Sequence, residues 1–339
     1  MGNEKRFLLI VYGTRPEYIK IQPVIEELKR KGVFYKVLYT GQHCSEKEKP
    51  WDFRLRIEDA PNRLDAIISS ICGKDTQNVL SGAAAVLVQG DTATAFATAL
   101  AAFHRDIKVI HLEAGLRTWD INNPRPEESY RKMIGALAEL HLCPTETAAE
   151  NLWLEQVSGA IRITGNTVLD TLPDPGNLEY GKKILVTMHR RENIPDIVEW
   201  FNAIDSLAEE YNEYSWVFPV HPNPKIRKHL GLLRNVNTID PLSREDIIEM
   251  LRVCRIVITD SGGLQEEASW FRKRCVVCRK ATEREETLGI SSILAKTPDD
   301  LREVFRSEIS KDNPEDICPF GDGKAAKKVV EYVLKEGWR

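Results

Sequence analysis

The sequence predicts an α/β protein with two domains, each built around a parallel sheet with helices on both faces. Three observations support this fold class. The chain has 339 residues, and a single hydrophobic core rarely extends beyond roughly 250–300 residues. Short apolar runs alternate with amphipathic segments, the pattern of parallel strands connected by helices. A segment rich in proline and glycine, residues 172–181, interrupts this alternation once, so the predicted domains are residues 1–171 and 182–320, with residues 172–181 as a linker.

The first half alternates strands and helices from its beginning. The first apolar run precedes an amphipathic segment that ends at Gly32, and glycine is common just after the end of a helix. The predicted strands are FLLIVYG, AAVLVQGD, IKVIHLEAG, LHLCPT and IRITGN, and the predicted helices are EYIKIQPVIEELKRKG, TATAFATALAAFH and ETAAENLWLEQV.

The second half repeats the alternation. Helices are predicted from about Ile194 to Tyr211 and from Arg244 to Val253, and residues 321–339 contain an amphipathic helix, GKAAKKVVEYVLKEG. The predicted strands are KKILVTMHR, YSWVFPVH, NTIDPL, RIVITD and RCVVCRK. Two such halves predict two Rossmann-like domains that face each other across a cleft.

The composition argues against several classes of function. The net charge is −4, from 47 basic and 51 acidic side chains, whereas nucleic-acid-binding proteins usually carry a basic face. No apolar run reaches the ~18 residues that a membrane span requires, so we expect a cytoplasmic protein that binds neither nucleic acid nor membrane. The seven cysteines are expected to be reduced thiols in that compartment.

Common nucleotide and metal motifs are absent or incomplete. GxGxxG does not follow the first strand and GxxxxGK[ST] occurs nowhere, which argues against dinucleotide binding and P-loop chemistry. Cys275 and Cys278 have the spacing of metal ligands, but they lie in a predicted strand, where positions three apart point to opposite faces. We therefore expect no zinc site at this pair.

Polar clusters directly follow six of the predicted strands. Because the carboxyl ends of parallel strands line the ligand crevice of an open α/β sheet, we expect clusters from both halves to converge on one cleft. One cluster would be weak evidence, since strand-to-helix turns are polar in any case. The clusters are Gly13-Thr14-Arg15-Pro16-Glu17, Gln89-Gly90-Asp91-Thr92, Glu113-Ala114-Gly115-Leu116-Arg117, His189-Arg190-Arg191-Glu192-Asn193, His221-Pro222-Asn223-Pro224 and Ser261-Gly262-Gly263.

The turn Ser261-Gly262-Gly263 has two interpretations. Small residues suit any strand-to-helix turn, and acids early in a helix suit its dipole. Alternatively, the glycines expose backbone N–H groups at the start of the helix, where a phosphate binds. With His189 and Arg190 or Arg191, the turn could then hold a diphosphate and stabilise its charge as it leaves.

The first half contributes carboxylates, which suggest acid–base chemistry on a sugar-like group. The candidates are Asp91, Glu113 and Glu127, with Arg15 and Lys20 nearby in sequence. Structural roles stay open for two of them. Asp91 could cap the helix that begins at Thr92, and Glu127 or Glu128 could favour a helix start after Pro126.

In this order, the motifs resemble those of the UDP-N-acetylglucosamine 2-epimerase family, in its non-hydrolysing branch. The resemblance covers nearly the whole chain. It is carried by GTRPEYIKIQPV, VQGDTATA, HLEAGLRT, PRPEESYR, PTETAAENL, TGNTVLDTL, HRREN, PVHPNP, TDSGGLQEEA, ATERE and PFGDGKA.

The resemblance implies a fold of the glycosyltransferase-B type, in which the helix of residues 321–339 crosses back to the N-terminal domain. It also implies a reversible, metal-free reaction without a cofactor, in which UDP is eliminated anti across C1–C2 and re-added to an enzyme-bound 2-acetamidoglucal. The enzyme is expected to be a homodimer that takes a UDP-sugar. The implied catalytic residues are Asp91, Glu113, Glu127 and His189, and the implied UDP and substrate ligands are Arg15, Lys20, Arg117, Arg131, Arg190, His221, Leu242, Ser261, Gly262, Gly263 and Glu267.

The chain departs from the family pattern in three places. Tyr130 replaces the usual Asn of PEE-x-Asn-Arg, and Glu285 replaces the proline of TERPE. Residues 44–46, Cys-Ser-Glu, lie in a stretch that helps bind a second, activating UDP-sugar in bacterial members, so we expect that site to be absent or impaired.

Other functions stay open at this point. The enzyme could release UDP and free N-acetylmannosamine, or it could act on a modified sugar such as a diacetamido-uronate. A glycosyltransferase would use the same cleft, but it needs only one base, so three carboxylates disfavour it. If Tyr130 disables the site, the chain would be a nucleotide-binding protein without catalysis.

Overall fold

The computed structural model describes residues 6–42, 51–58, 60–73, 76–176, 178, 180–314 and 318–337. The chain forms two compact units, which we call unit 1 (Met1–Thr171 with Phe320–Arg339) and unit 2 (Leu172–Pro319). Residues 172–181, predicted to be a linker, therefore group with unit 2. No helix among the described residues is long and apolar enough to span a membrane.

Within the described residues, unit 1 contains a seven-stranded parallel sheet in the order β3-β2-β1-β4-β5-β6-β7. The strands are β1 (Phe7–Tyr12), β2 (Tyr35–Tyr39), β3 (Phe53–Arg54), β4 (Ala83–Gln89), β5 (Lys108–Leu112), β6 (Leu140–Cys143) and β7 (Ala160–Ile163). The helices are α1 (Arg15–Arg30), α2 (Arg63–Cys72), α3 (Gln77–Ser81), α4 (Ala93–Phe103), α5 (Glu127–Leu137), α6 (Glu146–Leu154) and α12 (Ala325–Tyr332).

The start of α1 shows how local sequence fixes a boundary. Thr14 is its N-cap and forms a capping box with Glu17, since each side chain accepts a backbone N–H from the other residue. Lys29 and Arg30 lie in the last turn, where they complement the helix dipole. Gly32 follows in the left-handed region with φ of 64°, as predicted for the residue after the helix.

The unit 1 sheet is buried on both faces. Successive residues of β1 alternate between two clusters: Leu9 packs with α2 and α4, and Leu8 packs with α1 and α12. Val329 and Val330 of α12 are fully buried in the second cluster. This helix therefore completes one face of unit 1, which confirms the predicted return of the chain.

Among its described residues, unit 2 contains a six-stranded parallel sheet in the order β10-β9-β8-β11-β12-β13. The strands are β8 (Lys183–Thr187), β9 (Ser215–Pro219), β10 (Asn237–Ile239), β11 (Cys254–Thr259), β12 (Arg274–Cys278) and β13 (Ser292–Ala295). The helices are α7 (Ile197–Glu210), α8 (Pro224–Arg227), α9 (Arg244–Val253), α10 (Gly262–Trp270) and α11 (Pro298–Glu308).

The predicted fold class is confirmed, with two parallel α/β sheets. The helix predicted from Arg244 to Val253 has those bounds. The helix predicted from about Ile194 begins later, at Ile197, because residues 191–193 form a separate 3₁₀ turn. In each sheet the strand order reverses between two neighbours, β1 and β4 in unit 1 and β8 and β11 in unit 2. Ligands of open α/β sheets bind outside such reversals.

Candidate active site

The turns after β1 and β4 are joined by one buried carboxylate, Glu17. Its Oε2 accepts hydrogen bonds from the backbone of Gly13 at 3.0 Å and of Thr14 at 2.7 Å, and its Oε1 accepts the hydroxyl of Thr92 at 2.7 Å. Burial raises the pKa of Glu17 to about 7. Because Thr92 follows Asp91, Glu17 fixes the turn that carries a predicted catalytic residue.

Asp91 is paired with Arg131 of α5. Two nitrogens of Arg131 contact Oδ2 of Asp91, Nε at 2.8 Å and Nη2 at 2.7 Å. Its third nitrogen, Nη1, donates a hydrogen bond to the buried carboxylate of Glu128 at 3.0 Å. The N-cap of α4 is Thr92, whose hydroxyl accepts the N–H of Ala95. Capping is therefore not the role of Asp91, and the guanidinium holds its carboxylate in place.

Glu113 follows β5 with φ of 63°, in the left-handed region that non-glycine residues rarely adopt. Its carboxylate accepts hydrogen bonds from Lys20 and Gln89, and from Nδ2 of Asn166 at 3.1 Å. Three donors from three different elements thus converge on this one side chain.

Glu127 is the first residue of α5, so the predicted helix start after Pro126 is also correct. Its Oε2 is buried and has no hydrogen-bond partner among the described residues. A buried carboxylate oxygen without a partner is costly, so this atom is a candidate to contact a ligand.

In unit 2, Asp260 organises the turn after β8. This fully buried carboxylate accepts the backbone N–H of His189 at 2.9 Å and of Arg190 at 2.8 Å, and the side-chain amide of Asn193 at 3.1 Å. Nδ1 of His189 also lies 3.3 Å from Asp260. Asp260, which directly follows the central strand β11, therefore positions the turn that follows the neighbouring strand β8.

The turn after β11 is shaped by what lies behind it. Ser261 is the N-cap of α10, and its hydroxyl accepts the N–H of Leu264 at 3.4 Å. A Cβ on Gly262 would lie only 2.7 Å from a terminal nitrogen of Arg284, whereas a Cβ on Gly263 would meet nothing closer than 3.9 Å. Glycine at 262 thus makes room for a buried guanidinium, and the space around Gly263 stays open.

The positive charge behind this turn belongs to a buried network of ion pairs. Arg284 pairs with Glu266 at 2.8 Å and with Glu283, and Glu283 pairs with Arg279 at 2.7 Å. Buried charges are tolerated only when paired in this way. Glu266 is therefore structural, which leaves the partly exposed Glu267 as the acid of α10 that can reach a ligand.

Other predicted ligands of unit 2 lie near these turns. The rings of His189 and His221 stack at 5.4 Å, and burial, with a smaller effect of His189, lowers the pKa of His221. Burial also lowers the pKa of Arg190, whose Nε donates to the backbone oxygen of Asp260 at 3.0 Å. Leu242 is half-buried just before α9.

One predicted ligand lies outside this arrangement. The guanidinium of Arg117 has no exposed surface, because it forms a bidentate pair with Glu155 at 2.9 and 2.6 Å and donates to the backbone of Leu116. Arg117 therefore holds α6 against the turn after β5. Arg15, by contrast, is exposed at the first position of α1.

The sequence analysis did not select Asn166 or Asp260 as site residues, and it named Gln89 only as a member of a strand-end cluster. Asn166 and Asp260 end predicted strands and Gln89 ends β4, so the strand-end pattern contained the signal. The predicted change at residues 44–46 lies outside the described residues. The neighbouring Gln42 is described, and its side-chain oxygen accepts the N–H of Thr94 at 3.1 Å.

Comparisons with known proteins agree on one family. Residues 26–334 match the family model described as UDP-N-acetylglucosamine 2-epimerase. The chain is 37% identical to the UDP-N-acetylglucosamine 2-epimerase of Campylobacter jejuni, over 97% of each chain. It is 36% identical to that of Salmonella borreze, over 96% of this chain and 98% of the relative.

Solved structures agree with these sequence relatives. The UDP-GlcNAc 2-epimerase of Neisseria meningitidis, solved bound to UDP-GlcNAc, matches with a TM-score of 0.86 and 33% identity, over 97% of this chain and 100% of the other. The wall teichoic acid polymerase TagF matches with a TM-score of 0.54 and 12% identity, over 98% of this chain and 89% of the other. At that identity the likeness to TagF concerns the fold alone.

Proposed function

This chain belongs to the UDP-N-acetylglucosamine 2-epimerase family and is an isomerase, and from that premise we propose that it interconverts UDP-N-acetylglucosamine and UDP-N-acetylmannosamine. The proposed route is anti elimination of UDP followed by its re-addition to 2-acetamidoglucal. The observation that carries the proposal is that Asp91 and Glu113, which follow β4 and β5, are held by Arg131 and Lys20, while Glu127 begins α5 with a buried, unpartnered oxygen.

The chemistry explains why acid–base groups and diphosphate ligands are both needed. The C2 hydrogen has no adjacent carbonyl, so an ordinary carboxylate cannot remove it by itself. Removal becomes feasible when the C1–O bond breaks at the same time. The C2 proton goes to a carboxylate, the C–H electrons form the C1–C2 double bond, and the C1–O electrons leave with UDP. Addition of UDP to C1, with a proton delivered to the other face of C2, gives the epimer.

Unit 2 supplies the groups that suit UDP as a leaving group. In this proposal the backbone N–H groups of Gly262 and Gly263, at the start of α10, hold the phosphates. His189, fixed by Asp260, assists departure of the diphosphate, and Glu267 binds the ribose hydroxyls. Arg190 adds positive charge next to the same turn.

Unit 1 supplies the proton transfer. Asp91, Glu113 and Glu127 are the proposed acid–base residues, and Arg15 and Lys20 are proposed for the nucleotide side. The buried, unpartnered oxygen of Glu127 and the unusual backbone of Glu113 support this assignment, because such costs are typical of functional residues. We further propose a homodimer without a bound cofactor.

Proton NMR of the protein incubated with UDP-N-acetylglucosamine in deuterated water tests the function. We expect both epimers to accumulate as UDP-sugars with deuterium at C2, since re-addition uses a solvent-exchanged proton. Free N-acetylmannosamine with UDP would instead establish the hydrolysing reaction. Full retention of hydrogen at C2 would contradict elimination with solvent exchange.

The variant D91N tests the assignment of unit 1. We expect its kcat to fall by roughly 10²-fold or more with a much smaller change in KM, because the carboxylate acts in the transition state. N62D, a substitution at the exposed cap of α2, is the control. An unchanged kcat in a folded D91N protein would remove Asp91 from the mechanism.

A further inference from the structure

Asn166 lies in the turn after β7, where its position is fixed from two sides. Its backbone N–H donates to the carbonyl of Phe320 at 2.7 Å, and its Oδ1 accepts the N–H of Val168 at 3.1 Å. The turn is tight, since a Cβ on Gly165 would lie 3.0 Å from the same Phe320 carbonyl. Asn166 itself is buried, so its side chain has little freedom to move.

These contacts also determine the orientation of the amide. Oδ1 must be the atom that faces the N–H of Val168, because only the oxygen can accept a hydrogen bond. Nδ2 therefore points the other way, toward Oε1 of Glu113 at 3.1 Å. The Asn166 amide therefore donates a hydrogen bond to the Glu113 carboxylate. The flipped amide would place Oδ1 of Asn166 against Oε1 of Glu113, and both of these atoms are acceptors.

Glu113 has its other donors on different elements. Lys20 of α1 contacts the same oxygen as Asn166, and Gln89 of β4 contacts the other oxygen. Lys20 supplies charge, whereas Asn166 supplies a neutral donor from a rigid turn. Its contribution is directional, since it fixes where Oε1 lies without adding charge.

We infer that Asn166 is a positioning residue for Glu113, and that it ties the orientation of this carboxylate to the returning chain at Phe320. The inference rests on the proposed function, in which Glu113 transfers a proton. Asn166 does not contact the reacting atoms in this role. It acts by holding the carboxylate in the orientation that the reaction needs.

N166D is the informative variant, because aspartate has the same shape and can still accept the N–H of Val168. The variant replaces the donor to Glu113 by a second carboxylate, whose oxygen would lie about 3.1 Å from Oε1 of Glu113. Two carboxylates at so short a distance share a proton. Among the titratable and charged groups on neighbouring elements, Lys20 of α1 pairs with Glu113, and His111 of β5 interacts with Asp91 after β4. None of them changes in the variant.

We expect N166D to lower kcat by roughly 10- to 100-fold with little change in KM, as for other misplaced catalytic groups. The acid limb of its pH–rate profile should move to higher pH. N166S, which can still accept the N–H of Val168 but is too short to reach Glu113, should lower kcat with a smaller movement of that limb. N62D, the same chemical change at an exposed cap, should behave as the wild type.

Epimerisation by the wild type is measured first, so failure of the proposed function is seen before any variant is compared. Thermal unfolding shows whether each variant is folded. A folded N166D or N166S protein with the kcat and pH profile of the wild type would overturn the inference and leave the proposed function intact. If N166D does not fold, N166S alone decides by the same criterion.

Discussion

Glu17 makes the stability of this protein depend on pH. Burial raises the pKa of its carboxyl from 4.5 to about 7, and hydrogen bonds from Thr92, Thr14 and Gly13 only partly offset this effect. Between these pH values the folded chain keeps a proton on Glu17 that the unfolded chain has lost. The free energy of unfolding therefore falls as the pH rises from 4.5 to about 7. At about 1.4 kcal/mol for each pKa unit, the loss from this residue is roughly 3 kcal/mol.

The variant E17Q should remove this pH dependence. The amide oxygen can accept the N–H groups of Gly13 and Thr14, and the amide nitrogen can donate to Thr92 once that hydroxyl rotates. Urea unfolding of the full chain, measured between pH 4.5 and about 7, gives the stability of each protein. The stability of the wild type relative to E17Q should fall by roughly 3 kcal/mol across this range.

E26Q is the matched control, since Glu26 is exposed on the same helix and the change of side chain is identical. A difference between wild type and E17Q that stays constant within about 0.5 kcal/mol across the range would refute the reasoning. In that case Glu17 is ionised in the folded chain at every pH tested, and its hydrogen bonds from Gly13, Thr14 and Thr92 outweigh the cost of burial.

Two further predictions concern glycines. G263V should leave the fold intact, because the new Cβ meets nothing closer than 3.9 Å, but it should weaken UDP binding by roughly 10-fold or more by blocking the approach of a phosphate to the backbone. Calorimetry measures the affinity for UDP, with G231V as the control, since a Cβ added at Gly231 would meet nothing within 4 Å. An unchanged affinity in folded G263V would reject the phosphate site. G13A should lower the free energy of unfolding by roughly 1–3 kcal/mol, because its Cβ would lie 2.2 Å from the hydroxyl of Thr94. If urea unfolding gives the same stability as the wild type, the turn adjusts to the added methyl group and the prediction is wrong.

The alternation of strands and helices was readable from the sequence because each strand of a doubly covered sheet is apolar on both faces. RIVITD and KKILVTMHR show this pattern, and both are central strands, β11 and β8. The segment that contains α2 was not assigned. Its sequence, RLDAIISSIC, places Leu64, Ile67, Ile68 and Ile71 at the spacing of one helix face, so this helix was predictable from the sequence and was missed.

The residues at the strand ends were also predictable, but their contacts were not. Asp91 pairs with Arg131 across 40 positions and Glu113 with Asn166 across 53, and such pairs depend on strand order, which the sequence does not state. Arg117 was predicted from its position but has a different role. It lies in a strand-end cluster, where ligand-binding residues are expected, yet its side chain is buried in unit 1 and pairs with Glu155.

The return of the chain to unit 1 sets an order of events during synthesis on the ribosome. Unit 2 is contiguous, residues 172–319, so all of its strands are available once that stretch has emerged. Unit 1 begins earlier but lacks α12, which covers Leu8 and Ile10 together with α1, until residues 325–333 have been made. Unit 1 is therefore begun first but completed last, and part of its apolar sheet face stays uncovered until residues 325–333 have been made.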